Sequence, residues 1–291
     1  MFGKGIELFK LFGFSVRIDA SWVLIAVLIV WSLASGFFPH FYPNLATSTY
    51  WWMGLWGALG LFASIVFHEF SHSLVARARG MEMRGITLFV FGGVAEMRDE
   101  PGSPATEFLM AIAGPVASVL VAALSFGLWQ LSAQANWPAP VSGVLWYLGW
   151  INSVLVAFNL VPAFPLDGGR VLRSLLWTLT GSLRKATRIT SGIGSAFGLL
   201  LIVLGVFAFI SGNFIGGMWW FLLGMFLRGA AAMSYQQLLI RRVLEGEPIR
   251  RFVQPEVRTV APSTTVQRLV DDYIYRHHFK MLPVVENGRV L

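Results

Sequence analysis

Residues Trp51–Ala76 read WWMGLWGALGLFASIVFHEFSHSLVA. The run is apolar and longer than the roughly 20 residues that cross a bilayer as a helix. It nevertheless holds His68, Glu69 and His72. The spacing His-Glu-x-x-His puts two imidazoles on one helical face, four residues apart, with a carboxylate on the same turn. In water this pattern points to a zinc peptidase. Inside a bilayer it points to something narrower, because ionisable groups at membrane depth are costly and are kept for function. The 291 residues include 5 His, and a shuffled chain of this composition would show the pattern roughly 0.003 times.

The surrounding chain places the motif in a membrane. It is 56% hydrophobic and 13% charged, against about 25% charged in soluble domains. Six apolar stretches approach span length: Ser21–Phe38, Trp51–Ala76, Thr106–Leu131, Val144–Val161, Ile189–Ile210 and Met218–Met233. Met1–Ala20 carries Glu7 and Asp19 and lacks the pattern of a cleavable signal peptide. There are 0 Cys, so any metal must be held by His, Asp or Glu.

Charge sets the orientation. All 22 Lys and Arg fall in Met1–Ala20, Arg77–Glu107, Asp167–Arg188 and from Arg228 onward. The alternate loops Phe37–Tyr50, Ser132–Gly143 and Ser211–Gly217 hold no Lys, Arg, Asp or Glu. This distribution puts both termini in the cytoplasm. It also assigns the net charge of +7 to membrane topology, with no nucleic acid expected as a partner.

The expected fold is therefore an all-α polytopic membrane protein of six transmembrane helices, with a short membrane-dipping β-hairpin and a small α/β cytoplasmic tail. The hairpin is expected in Arg84–Met97, where Ile86, Leu88, Val90 and Phe91 favour strand and Gly92-Gly93 a bend. A loop lying on the membrane surface fits that stretch equally. Ala111–Pro115 (AIAGP) suits close helix packing with a local kink. The glycines of the last two spans, Gly198, Gly205, Gly217 and Gly224 among them, suggest light packing. Residues 1–240 form the expected membrane domain and 241–291 a linker and tail. In the tail, Val257–Val260 suits a strand, Thr264–Tyr275 a helix, and MLPVVENGRVL a strand, Asn-Gly turn and strand.

A catalytic zinc site has three protein ligands and leaves a fourth position for water. His68 and His72 supply two of them. The best third candidate is Asp167, in Asn159-Leu-Val-Pro-Ala-Phe-Pro-Leu-Asp-Gly-Gly-Arg170. Pro162 and Pro165 break the fourth span, and Gly168 and Gly169 allow backbone angles closed to other residues. A broken helix can aim a carboxylate into the bundle. Asp167 as a mere helix cap is the alternative. Depth agrees with ligation: His68 lies nine residues, about 14 Å, from the cytoplasmic end at Arg77. Asp167 reaches the same end of the bundle. Glu69 is placed to accept a proton from an activated water.

HEFSH at His68–His72 and NLVPAFPLDGG at Asn159–Gly169 together resemble the site-2 protease family of intramembrane zinc metalloproteases. AIAGP and the Phe91–Gly93 FGG also look like family features, and the resemblance spans about Gly13–Gln237. It implies one catalytic Zn2+ held by His68, His72 and Asp167, with Glu69 as base. It further implies that Asn159, Phe91, Gly92 and Gly93 help hold an unwound substrate segment. The implied substrate is a single-span or membrane-associated protein cut near the cytoplasmic face in regulated intramembrane proteolysis, in a prokaryotic cell membrane. The tail resembles the first half of a CBS domain through Val257–Val266 and LPVVENGRVL. A complete domain of that kind implies adenine-nucleotide binding and homodimerisation through the tail, and the chain stops at Leu291, within its second strand. A metal transporter or sensor using the same histidines is the rival function, and it would need ionisable groups in the outer half of the bundle.

Overall fold

In a computed structural model the described residues are 6–11, 13–18, 20–81, 83–89, 92–97, 100–244, 248–251, 258–277 and 281–291. Phe91 and Val257 lie outside them. The chain divides into two compact units, Met1–Leu239 and Ile240–Leu291.

The first unit opens with strands β1 (Ile6–Leu11) and β2 (Phe14–Ile18), which turn at Gly13 with φ 87°. Helix α1 (Ala20–Ser32) continues through a π-helical turn, Leu33–Phe37, into short α2 (Phe38–Phe41). Next come α3 (Thr47–Ala78), strands β3 (Met83–Phe89) and β4 (Gly92–Met97), and α4 (Pro104–Gln134). The unit ends with α5 (Ala139–Asn159), α6 (Asp167–Thr180), α7 (Leu183–Ile210) and all but the last turn of α8 (Phe214–Leu244).

Local chemistry explains most boundaries. Ser103 caps α4 by accepting from the Thr106 N–H at 3.2 Å, with Pro104 in the first turn, where its missing donor costs nothing. Gly181, left-handed at φ 63°, ends α6, and Ser182 accepts from the Lys185 N–H to start α7. Pro115 sits inside α4 without interrupting it.

Among the described residues, five helical stretches are long and apolar enough to cross a membrane: Trp22–Phe41, Thr47–Ala78, Pro104–Gln134, Ala139–Asn159 and Leu183–Ile210. Their outward faces expose large apolar side chains such as Leu24, Leu120, Leu124, Phe207 and Ile210. Lipid is the solvent such faces require. The sixth expected span falls on α8, a 31-residue helix that is not one of these five.

Two expectations need correction. The expected hairpin does not stand alone: the N-terminal residues, for which no strand was expected, join it. They form half of a four-stranded sheet of order β1-β2-β3-β4, with β2 parallel to β3 and the other pairs antiparallel. The expected hairpin is β3–β4, with Phe89 opposite Gly92 and Leu88 opposite Gly93. The last two long helices are also not lightly packed. A Cβ on Gly198 would lie 2.7 Å from the Gly224 carbonyl oxygen, so these glycines let the α7 and α8 backbones touch.

The sheet is pinned to the helix that carries HEFSH. Phe14 of β2, 2% exposed, meets the Phe70 ring edge-on at 5.6 Å between centroids. The Arg77 guanidinium covers the Phe14 ring at 4.7 Å. Both partners lie on α3, so β2 is fixed against the turn that bears the motif.

In the second unit, α9 (Val266–Leu269), a π turn (Val270–Ile274) and α10 (Tyr275–His277) make one helical run. Strands β5 (Val285–Glu286) and β6 (Arg289–Val290) pair through Asn287 and Gly288, both at positive φ. That is the turn the Asn-Gly pair favours. Val260 makes a single parallel bridge to Val284.

Candidate active site

His68 and His72 lie one turn apart on α3, with His68 ten residues before the helix end at Ala78, or about 15 Å. Both are buried, at 7% and 8% exposure. Asp167 is the first residue of α6 and lies 99 residues from His68 in sequence. The three side chains meet. His68 Nε2 is 3.0 Å from Asp167 Oδ2, His72 Nε2 is 3.3 Å from the same oxygen, and the two Nε2 atoms are 3.1 Å apart. Among the described residues these three form the group able to hold a metal ion.

The separations can be compared with a real ion. Ligands about 2.0–2.1 Å from a tetrahedral zinc sit roughly 3.3–3.4 Å from one another. The observed triangle, at 3.0 to 3.3 Å, is nearly that size. Its two imidazole nitrogens and one carboxylate oxygen are donors that zinc accepts. The residues present therefore fit zinc.

The ring orientations are fixed from α4. His72 Nδ1 lies 2.6 Å from the Met110 carbonyl oxygen. A carbonyl only accepts, so Nδ1 carries the proton and Nε2 keeps its lone pair toward the cluster. His68 Nδ1 pairs with Ser118 Oγ at 2.9 Å, leaving its Nε2 on the same point. Between these two contacts α4 presents Gly114. A Cβ there would collide with Nε2 of both histidines, so no larger residue allows α4 this close. AIAGP was expected to serve packing. The packing it serves is against the two imidazoles.

Glu69 is half-buried on the same turn of α3, between the two histidines. Asn159 closes α5, and its side chain makes no hydrogen bond among the described residues.

Asp167 arrives by a tighter route than a bent span. Helix α5 stops at Asn159, and the chain turns through Ala163 and Phe164, both buried, to Leu166. Gly168 and Gly169 have ordinary negative φ. Their role is close approach, since a Cβ on either would strike the backbone of Leu160–Phe164. Leu166 occupies the cap position of α6, and no side chain caps that helix, so Asp167 is not the cap.

Sequence reasoning missed Ser118, the Met110 carbonyl, Gly114 and the buried pair Glu107–Arg173, whose Arg173 Nε donates to Glu107 Oε1. A lone serine and a backbone carbonyl carry no spacing signal. Glu107 did carry one, as an acid beside an apolar run.

The chain matches peptidase family M50 over residues 56–136 and 127–204. The chain belongs to peptidase family M50. It is a zinc metalloprotease, as its relatives are. In Synechocystis sp. a protein provisionally described as a zinc metalloprotease, sll0528, is 37% identical over 93% of this chain and 70% of its own length. Zinc metalloprotease MJ0392 of Methanocaldococcus jannaschii is 28% identical over 98% of this chain and 76% of its own. The solved site-2 protease from Methanocaldococcus jannaschii superposes with a TM-score of 0.55 at 29% identity, covering 84% of this chain and 99% of that one. The M50 assignment agrees with the donor set: zinc is the metal the family implies and the one the triangle fits. The apolar helices make the M50 protease an integral membrane protein.

Proposed function

We propose that this chain is an intramembrane zinc endopeptidase that hydrolyses a peptide bond in or beside a substrate's transmembrane segment, near the cytoplasmic face. The observation that carries the reading is the His68–His72–Asp167 triangle, whose two histidines are buried in a helix long and apolar enough to span a membrane, His68 about 15 Å from its end. All 22 Lys and Arg fall outside the alternate loops Phe37–Tyr50, Ser132–Gly143 and Ser211–Gly217 of the sequence, which supports cytoplasmic termini and, with α8 as the sixth span, an even number of crossings.

His68, His72 and Asp167 hold the metal. Zinc bound there supplies Lewis-acid polarisation of a water and of the scissile carbonyl. Glu69 takes one proton from the attacking water. The water oxygen bonds to the carbonyl carbon, the C–N bond breaks, and Glu69 returns the proton to the leaving nitrogen. The Met110 carbonyl keeps His72 in the tautomer that presents Nε2, and Ser118 holds the His68 ring in the matching orientation.

A helical substrate hides its carbonyls in its own hydrogen bonds, so the segment must unwind. β4 stands at an edge of the sheet, and β2 is anchored to Phe70. An extended segment adds to that edge beside Gly92 and Gly93, with Asn159 at the end of α5 supplying an amide that has no hydrogen bond among the described residues. The substrate is a single-span or membrane-associated protein, and its cleavage serves regulated proteolysis in a prokaryotic membrane. We read the tail as a CBS-type module, the kind that takes an adenine nucleotide and pairs two chains.

The test uses the full chain in lipid vesicles with a single-span peptide. Cleavage should stop when a chelator removes zinc and return when zinc is restored. Cleavage that persists in metal-free protein contradicts the proposal.

A further inference from the structure

We infer that the Glu107–Arg173 ion pair is a positioning device that brings Asp167 to the two histidines. The inference rests on reading His68, His72 and Asp167 as the metal ligands.

The pair is costly to keep. Glu107 is 0% exposed and Arg173 3%. Arg173 Nε donates to Glu107 Oε1, and its Nη2 donates to Glu100 Oε2 at 3.2 Å. Glu107 Oε2 is buried with no partner among the described residues. Two desolvated charges with an unsatisfied oxygen are a poor way to stabilise a bundle, because an apolar pair of similar volume does as well or better. Geometry is what such a pair adds.

The geometry it imposes is specific. Glu107, Met110, Gly114 and Ser118 are spaced by three, four and four residues, which is one face of α4. Three of them grip α3: the Met110 carbonyl holds His72, Gly114 lies against both rings, and Ser118 holds His68. The fourth, Glu107, grips α6 through Arg173. One helix face therefore carries the two histidine ligands on one side and the helix that starts at Asp167 on the other.

Arg173 acts on both sides of Asp167. It lies six residues after it, about 9 Å along α6. Its guanidinium also covers the ring of Phe164, three residues before Asp167, at 5.1 Å. No side-chain cap fixes the start of α6. The clamp of Glu107, Arg173 and Phe164 fixes where Asp167 begins.

The test measures zinc affinity of the purified full chain by chelator competition, together with the visible spectrum of the cobalt-substituted protein, which reports ligand geometry. Glu107→Gln keeps the shape of the acid and leaves Arg173 its contact with Glu100. It should stay folded, lose about tenfold or more in zinc affinity, and change the cobalt band. The double variant Glu107→Leu with Arg173→Met removes both charges. It should melt within a few degrees of the parent but not regain the affinity. A folded variant with the parent's zinc affinity and cobalt spectrum overturns the inference, as does affinity that returns together with stability in the double variant. If the parent itself binds no zinc, the ligand reading fails and the inference with it.

Discussion

Ser118 Oγ lies 2.9 Å from Nδ1 of His68, across 50 residues of sequence and between two different helices. The contact leaves His68 Nε2 as the ligating nitrogen without relying on the metal to orient the ring. Met110 does the same for His72 through its carbonyl. The two orienting groups differ in one respect that can be tested: a side chain can be removed and a carbonyl cannot.

Ser118→Ala should weaken zinc binding by roughly 10–100-fold, the usual cost of losing a partner behind a metal ligand. Chelator competition on folded protein measures it. An unchanged affinity would mean that the ring is held by packing alone.

Gly114→Ala should cost far more than its single methyl suggests. The new Cβ meets both imidazoles, so α4 must retreat or the rings must turn. Overpacking of this kind destabilises by about 1–3 kcal/mol, and zinc content should fall with it. Gly127→Ala is the control on the same helix. Nothing lies within 4 Å of its Cβ, and alanine favours an exposed helix position by about 0.5–1 kcal/mol. Gly114→Ala should lose zinc and melt earlier, whereas Gly127→Ala should keep the parent's zinc and melt slightly later, as metal analysis and thermal unfolding would show.

Much of this site was legible in the sequence. HEFSH stood out because ionisable residues are scarce in an apolar span. Asp167 stood out because prolines and glycines surround the acid that reaches the same depth. The α4 contribution was not legible, because Ser118 looks like any small residue in a helix and Met110 acts through its backbone. The N-terminal strands were missed for another reason. A bulge between Glu7 and Phe9 breaks the alternation that marks a strand, and β2 pairs with β3 only after the whole of α3 has intervened.

Asp167→Ala should retain the fold and lose most bound zinc, since two histidines alone leave the site one protein ligand short. Elemental analysis of the purified variant decides it. Full zinc occupancy would place the third ligand elsewhere.

Asn159→Ala should leave zinc content unchanged and raise KM for a membrane-embedded substrate, if its amide, without a hydrogen bond among the described residues, binds the substrate backbone as proposed. Steady-state cleavage with metal analysis separates the two effects. A fall in zinc would assign Asn159 to the metal site.

The central claim is that Glu69 moves the proton while His68, His72 and Asp167 hold the metal. Glu69→Gln removes the base and leaves all three ligands in place. Measured side by side with the parent in vesicles, it should carry the parent's zinc, about one per chain, and cleave a single-span substrate at least 10²-fold more slowly. Cleavage at the parent's rate by zinc-loaded Glu69→Gln protein would contradict the account.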